Sequence, residues 1–503
     1  MPFFIPRHFR GDRRGNVAMM YALMLPVLLF GAGLAIDYTH AAQVRTELNA
    51  AADAAVLAAL TPSMMQQSNA TAQTAAQNMF NGQIAPITSL AAGDTTLTIT
   101  ITNPNNNPLV RNVTVAYTAQ NDNIFAGVLG APTFLLAGSS SGSASVAANI
   151  NFYLLLDNSP SMALPATTAG ITEMESLTAQ QDSGNGCAFA CHQASTNNGD
   201  SEGNPCLKGT TYTSPTLSSP PPSTSRGTSY CATSAGTQID DFALARKNSI
   251  ELRLDALSSG IADLMADAYL TQQNAASIPP VYKFAAYAMD SSWQIGMSSS
   301  TTPAYNNLMA MTTSYVSGWT AAAPNFGVME YYANNEECGN AACTSNGGGG
   351  DYATNYDNAL DTMNTIMPKP GEGTNVPGDT PQEVLFIVTD GVEDEDTSTC
   401  SEPETSGRCQ APINPALCTT IKNRGIRIAI LYTDYYQVTA NTWYVDWIEP
   451  FNPAPPAQSQ IATNLQACAS PGLYYDAGVD STNLGGDLQA LFNTVVQTAH
   501  LTQ

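Results

Sequence analysis

One short segment of the sequence carries side chains that suit a hard metal ion. Asp157, Ser159 and Ser161 alternate at the end of the apolar run 150–156. A buried strand that ends here would deliver one carboxylate and two hydroxyls into a tight turn. Mg²⁺ prefers octahedral oxygen ligands and keeps several waters, so few carboxylates are needed to bind it. The segment therefore predicts part of a Mg²⁺ site, for which Mn²⁺ and Ca²⁺ are alternatives.

Two later segments supply further oxygen ligands. The apolar run 383–389 predicts a second buried strand, and Asp390 follows it directly. Thr354 lies between the glycine run 347–350 and a predicted helix over 355–367. In open α/β sheets, ligands bind beyond the carboxyl ends of the strands. We therefore expect the side chains of Asp390 and Thr354 to lie close to those of Asp157, Ser159 and Ser161.

These segments, in this chain order, resemble the von Willebrand factor A (integrin I-type) domain and its metal-ion-dependent adhesion site. The resemblance implies a protein-binding role without catalysis, in which an Asp or Glu of a protein partner completes the coordination of the metal. A metal-dependent hydrolase or redox protein is the alternative. The resemblance implies these metal ligands: Asp157, Ser159, Ser161, Thr354 and Asp390.

Strands and helices alternate along residues 147–503, which predicts an α/β fold with a doubly wound, mainly parallel sheet. Residues 163–238 interrupt this pattern with Ser, Thr, Gly, Pro and four cysteines, and predict a disulfide-tied surface insertion. Within it, Cys187 and Cys191-His192 also allow a haem or zinc site. The acidic run 393–396 predicts a solvated loop, with a Ca²⁺ site as the alternative.

Composition narrows the class of protein. The chain has 17 Lys and Arg against 41 Asp and Glu, a formal charge of −24. A nucleic-acid partner needs a basic face, so we expect none. Ten cysteines, an even number, indicate disulfides in an oxidising compartment, with a pairing that the sequence alone leaves open. We expect pairs among Cys187, Cys191, Cys206 and Cys231, and a local pair of Cys338 with Cys343.

The N-terminal region predicts a membrane anchor. Val17–Ile36 contains 20 uncharged residues, which extend about 30 Å as a helix, the thickness of a bilayer core. Four arginines precede it, so the positive-inside rule puts the N-terminus in the cytoplasm and the remainder outside it. A cleaved signal peptide is the alternative, but helical periodicity continues through residues 44–59 and favours a retained anchor.

The N-terminal segment also resembles the TadE/TadG-like proteins of the tight-adherence (Flp) pilus machinery, through Arg13-Arg14-Gly15-Asn16, Asp37-Tyr38 and the run 48–55. Joined to a von Willebrand A domain, it resembles the TadG branch. Met20 stands where pseudopilin relatives have the glutamate of the processing signal, so we expect the leader to be retained.

The two resemblances imply a single-pass bacterial inner-membrane protein with a periplasmic C-terminal domain that binds other pilus-assembly components. A free-standing surface adhesin is the alternative. The predicted organisation comprises a basic leader (1–15), a transmembrane and periplasmic helix (16–61), a small helix-plus-strand module (62–146) and the von Willebrand A domain (147–503).

Overall fold

A computed structural model describes the chain as a mixed α/β protein with an N-terminal apolar helix. The chain folds as two compact units, and the boundary between them lies between Val146 and Ala147. The described residues are 15–90, 93–179, 185–190, 230–233, 236–239, 241–275, 279–289, 307–327, 354–395, 402–403, 409–455, 457–480 and 483–499.

The helices and strands are numbered in chain order. The α-helices are α1 Gly15–Ala59, α2 Pro62–Met65, α3 Asn69–Ile84, α4 Thr168–Leu177, α5 Asp241–Lys247, α6 Arg253–Gln273, α7 Tyr315–Ala322, α8 Tyr356–Ile366, α9 Pro415–Lys422, α10 Thr442–Trp447, α11 Gln460–Cys468 and α12 Leu484–Thr498. The strands are β1 Thr96–Thr102, β2 Val110–Asp122, β3 Thr133–Ser145, β4 Ile150–Asp157, β5 Tyr230–Thr233, β6 Gly236–Ile239, β7 Tyr282–Met289, β8 Asn307–Thr312, β9 Gln382–Thr389, β10 Val392–Glu395, β11 Cys409–Pro412, β12 Arg427–Tyr432 and β13 Tyr474–Asp476.

The first unit packs the C-terminal half of α1 and helix α3 on a three-stranded antiparallel sheet, β1-β2-β3. Buried residues recur at helical spacing in α1, such as Leu48 and Ala52, and at alternate positions in β2, such as Val113 and Val115. The helical spacing places the apolar side chains of α1 on one face of the helix, and the alternation places those of β2 on one face of the sheet. Strands β1 and β2 pair antiparallel as a hairpin.

The second unit contains a six-stranded sheet of order β13-β12-β9-β4-β7-β8. Its first five strands are parallel, and β8 pairs antiparallel with β7 at the edge. Strands β4 and β9 lie side by side near the centre and are buried along their whole length. Strands buried on both faces read as continuous apolar runs, which explains the two runs in the sequence.

Helices cover both faces of this sheet. On one face Phe152 contacts Phe492 of α12, with ring centroids 5.3 Å apart. On the other face Tyr153 and Leu155 share an apolar cluster with residues of α8, α9 and α11. A disulfide between Cys418 and Cys468 joins α9 to α11 on this second face.

Parts of the segment 163–238 are more regular than its composition indicates. Helix α4 begins after Thr167, whose side chain accepts a hydrogen bond from Gly170, and it buries Ile171 and Met174. Apolar residues three positions apart give this short helix a buried stripe, which the surrounding Ser and Thr obscure. Four cysteines of the predicted disulfides lie outside the described residues: Cys191, Cys206, Cys338 and Cys343. His192, of the alternative haem or zinc site, lies outside them as well.

The described part of the acidic run, residues 393–395, lies in strand β10, contrary to the loop that its composition predicts. β10 pairs antiparallel with β11, and Glu393 and Asp394 are buried. Backbone pairing with β11 orders these residues, which a count of carboxylates does not anticipate.

Candidate functional site

The site begins with Asp157 at the carboxyl end of β4. The side chain is fully buried, and each of its oxygens accepts a hydrogen bond. Oδ1 accepts from the backbone N–H of Ser159 at 3.0 Å, and Oδ2 accepts from the hydroxyl of Thr389 at 2.6 Å. Because β9 lies beside β4, the end of β9 supplies the second donor.

The next residues bring two more hydroxyls and a second carboxylate to the same point. The hydroxyl oxygens of Ser159 and Ser161 are 2.8 Å apart. Ser161 also hydrogen-bonds with the carboxylate of Asp390, which follows β9. One oxygen of Asp390, Oδ1, is buried and has no hydrogen-bond partner. The structure thus brings together four of the five predicted ligands: Asp157, Ser159, Ser161 and Asp390.

Thr354, the fifth predicted ligand, is buried and lies in the segment that leads into α8. Its carbonyl accepts from the backbone N–H of Asp394 at 3.0 Å, four residues beyond Asp390. Asn355 caps α8 by accepting from Asn358, so the helix begins at Tyr356. These contacts bring the Thr354 segment beside the strand that continues from Asp390.

Tyr356 and Thr389 take part in the site although neither belongs to the predicted set of ligands. The Tyr356 hydroxyl is 2.5 Å from Oγ1 of Thr389, and both groups are buried. Thr389 has one hydroxyl proton, which it donates to Asp157, so Tyr356 must donate to Thr389. The Thr-Asp-Gly sequence at the end of β9 was the available signal for Thr389. Tyr356 comes from another element and had no local signal.

Arg253, at the start of α6, brings a buried positive charge close to the site. Its guanidinium donates to the carbonyls of Thr433 and Val479, and its charge favours the ionised form of Asp390. No sequence signal marks Arg253, because the start of a helix does not indicate which strand ends it faces.

Burial dominates the electrostatics of the two carboxyl groups. It raises the pKa of Asp157. Burial, followed by the negative charge of Asp157, raises the pKa of Asp390 to about 7. Two buried carboxylates side by side disfavour each other's charge, and a bound cation would relieve both effects.

The donor set fits a hard divalent cation. All the side chains that meet here offer oxygen, and Asp390 Oδ1 is buried without a partner. Within the described part of the chain, no three His, Cys, Asp or Glu side chains gather as a metal-binding group. The candidate site has two carboxylates and depends on hydroxyls, a composition that suits a cation which retains waters.

The comparisons bear on the N-terminal segment. Residues 15–77 match the Tad family, described as "Putative Flp pilus-assembly TadE/G-like". The N-terminal segment is TadE/G-like. The match covers 63 of the 503 residues and lies in the segment whose sequence resembles the TadE/TadG-like proteins. In the described chain, one helix, α1, is long and apolar enough to cross a membrane, and its candidate span begins at Val17 within the matched range.

Other comparisons are weaker. A search of curated proteins gives no match. Among solved structures, the chain is similar to a point mutant of the PilB minor pilin from Streptococcus sanguinis, with a TM-score of 0.32 and 9% identity, covering 82% of this chain and 81% of that one. The same pilin without the mutation gives a TM-score of 0.28 and 9% identity, covering 82% and 79%. Because these TM-scores and identities are low, no conclusion about fold or function is drawn from the similarity to this pilin.

Proposed function

We propose that this chain is a membrane-anchored component of Tad (Flp) pilus assembly that binds a protein partner through a metal-ion-dependent adhesion site. The TadE/G-like segment supports the pilus-related role. The observation that carries the binding role is the meeting of Asp157, Ser159, Ser161 and Asp390 around a buried carboxylate oxygen without a partner.

The strand order supports assignment of the second unit to the von Willebrand A fold. The resemblance implies a doubly wound, mainly parallel sheet, and the second unit has five parallel strands, one antiparallel edge strand and helices on both faces. The candidate ligands lie at the carboxyl ends of two adjacent central strands, where α/β sheets bind their ligands. We include Thr354 as the fifth ligand because its segment is held beside the strand after Asp390.

The residues around the site determine what it would bind. Hydrogen bonds from Thr389 and from the Ser159 backbone orient Asp157, and Ser161 orients Asp390. A bound Mg²⁺, Mn²⁺ or Ca²⁺ would supply an open coordination position for an Asp or Glu of the partner. The charges of two carboxylates neutralise that of a divalent cation, and Arg253 adds a positive charge nearby. The occupied site would therefore favour an anionic group of the partner. We propose binding without catalysis.

The anchor completes the proposal. We propose that α1 crosses the bacterial inner membrane with the N-terminus in the cytoplasm, so that the chain beyond the apolar segment of α1 lies in the periplasm. The apolar side chains of residues 17–30 are exposed in the described chain, as expected of a lipid-facing helix.

A pull-down tests this function. The full chain, solubilised with its anchor, is offered to membranes of a cell that makes Tad pili, with Mg²⁺ or with a chelator. Tad components should be retained by the wild type with Mg²⁺, and lost with the chelator or with Asp390→Asn. Asp361→Asn, an exposed carboxylate on α8, is the matched control and should retain them. If the same amount of Tad components is retained with the chelator and by Asp390→Asn as by the wild type with Mg²⁺, metal-dependent binding is contradicted.

A further inference from the structure

The loop between β2 and β3 in the first unit exposes apolar side chains without any charge. Asn123–Pro132 contains ten residues, none of which is ionisable. Ile124 is 66% exposed and Val128 is 76% exposed. Leu135, at the start of β3, is also exposed. Scattered apolar residues are ordinary on a surface, but several together without charges mark an interaction site.

The loop has a defined conformation. The backbone N–H of Asn123 donates to the carbonyl of Pro132 at 2.8 Å, which closes the base of the loop. Ala131 donates to the carbonyl of Ala126 at 3.0 Å, and Gly130 has a φ of 88°. The apolar side chains are therefore held outward by the backbone.

Hydrogen bonds to Asp37 of α1 hold this loop against the helix. Its carboxylate is buried and accepts from three consecutive backbone N–H groups, those of Ile124 at 2.9 Å, Phe125 at 3.0 Å and Ala126 at 2.6 Å. A buried carboxylate needs such donors, because losing water without compensation is costly. Here the loop, instead of solvent, satisfies the charge.

The Phe125 ring lies against the helix one turn earlier. A Cβ at Gly33 would be 2.6 Å from Cγ of Phe125, so glycine is required for this approach. Gly33 precedes Asp37 by four residues, about 6 Å at the rise of an α-helix. Gly33 also belongs to the uncharged run Val17–Ile36. The loop thus lies beside the last turn of the apolar segment.

We propose that the loop Asn123–Pro132 enters the interface of the bilayer that α1 crosses, as a second membrane contact of this chain. This inference rests on the proposed membrane anchor. Ile124 and Val128 would lie among lipid headgroups and the first acyl carbons, where apolar side chains are stabilised. The contact would also set the angle at which α1 leaves the membrane.

The position of the loop favours lipid over a second copy of the chain. Leu34 and Ile36, which lie beside Gly33 and Asp37 along α1, are themselves exposed, so both the helix and the loop present apolar side chains here. Asp37, the first charged residue after the span, is covered by the loop. The lipid-facing surface of the anchor therefore extends onto the loop without an intervening charge.

Photo-crosslinking of the full chain in lipid nanodiscs tests the proposal. A benzophenone amino acid replaces Val128 or Ile124 in the loop, Leu28 in the span, or Leu57 in separate chains. Leu57 is 66% exposed, like Ile124, but lies 20 residues beyond Asp37 along α1, about 30 Å away. It is the matched control. The nanodiscs contain phosphatidylcholine and phosphatidylglycerol, and mass spectrometry counts lipid adducts.

Lipid adducts at positions 28, 124 and 128, at least about tenfold more abundant than at position 57, are expected for a loop in the interface. Adducts at 28 but not at 124 or 128 would overturn the loop proposal and leave the anchor intact. Crosslinked dimers at 128 instead of lipid adducts, or equal lipid adducts at 57, would also overturn it. No adduct at 28 would overturn the anchor and the loop proposal together.

Discussion

At the scale of single residues, Glu383 shows how burial controls a carboxyl group far from the candidate site. It lies near the start of β9, the strand whose other end carries Asp390. One of its oxygens accepts from the Asn151 amide at 2.9 Å, and the other is buried without a partner. Burial raises the pKa of Glu383 to about 7, although Asn151 and the charge of Lys283 act in the opposite direction.

We predict that Glu383→Gln changes the pH dependence of stability. The folded state holds the Glu383 proton from the ordinary carboxyl range up to pH 7, whereas the unfolded chain releases it. Because the unfolded chain is increasingly stabilised by releasing this proton, the wild type loses stability as pH rises from about 4.5 to 7. The free energy of unfolding of the variant, minus that of the wild type, should be on the order of 2 kcal/mol larger at pH 8 than at pH 5.

Urea unfolding at the two pH values measures this gain. Glu251→Gln, which removes an exposed carboxylate, is the control and should show no such difference. An equal stability difference between Glu383→Gln and the wild type at both pH values would contradict a raised pKa.

At the scale of elements, the turn after β9 positions Asp390. Gly391 has a φ of 86°, and a Cβ there would lie 2.3 Å from Cγ2 of Ile461 on α11. The turn thus needs glycine for two reasons, its backbone conformation and the close approach of a packed helix. Gly472 has a φ of 76° but has open space around the Cβ position.

We predict that Gly391→Ala destabilises the chain by more than about 3 kcal/mol, because backbone strain and overpacking add. Gly472→Ala, which has the strain alone, should cost about 1 kcal/mol. Chemical denaturation compares the two. Gly391→Ala should also weaken cation binding, since Asp390 is adjacent. Similar destabilisation by both substitutions would show that contact with α11 does not constrain the turn.

The end of α1 depends on a second buried guanidinium. Arg111 of β2 donates to the carbonyls of Ala59, Met64 and Gln67, at distances of 3.2, 2.7 and 2.6 Å. These carbonyls lie at the end of α1, in the last turn of α2 and just after α2. The last carbonyls of a helix have no partner within the helix. One side chain therefore ties the long helix to the sheet.

We predict that Arg111→Met destabilises the first unit by about 3 kcal/mol, because three carbonyls lose a charged donor. Proteolysis should then cut residues 60–68 at lower protease concentration than in the wild type. Arg45→Met, an exposed arginine on α1, is the control. Unchanged resistance in Arg111→Met would show that α1 is held by its apolar face alone.

The elements with strong periodicity were predictable from the sequence, and those defined by distant partners were not. The apolar runs ending at Asp157 and Asp390 are adjacent strands, because burial on both faces leaves a clear signal. β8 was not predicted, because it lies at the edge of the sheet, is only partly buried and therefore lacks a continuous apolar run. β10 was missed because pairing with β11 outweighs its acidic composition. In the site, Tyr356 and Arg253 reach Thr389 and Asp390 only through tertiary contacts.

At the scale of the whole molecule, the chain joins a TadE/G-like helical segment to an α/β unit whose central strand ends gather two buried carboxylates and two hydroxyls. The two units have separate cores, so a substitution at the candidate metal site should leave the first unit folded. The acidic composition, with its formal charge of −24, also disfavours nucleic acid and anionic lipid as ligands of the second unit.

Isothermal titration calorimetry of Mg²⁺ into the full chain in nanodiscs tests the central claim most directly. We expect one Mg²⁺ to bind per wild-type chain, and Asp157→Asn or Asp390→Asn to weaken binding by at least about tenfold, because each removes a charged ligand. Asp361→Asn should bind as the wild type does. Absence of Mg²⁺, Mn²⁺ and Ca²⁺ binding to the wild type, or equal binding by the Asp157 and Asp390 variants, would contradict a metal site at the ends of β4 and β9.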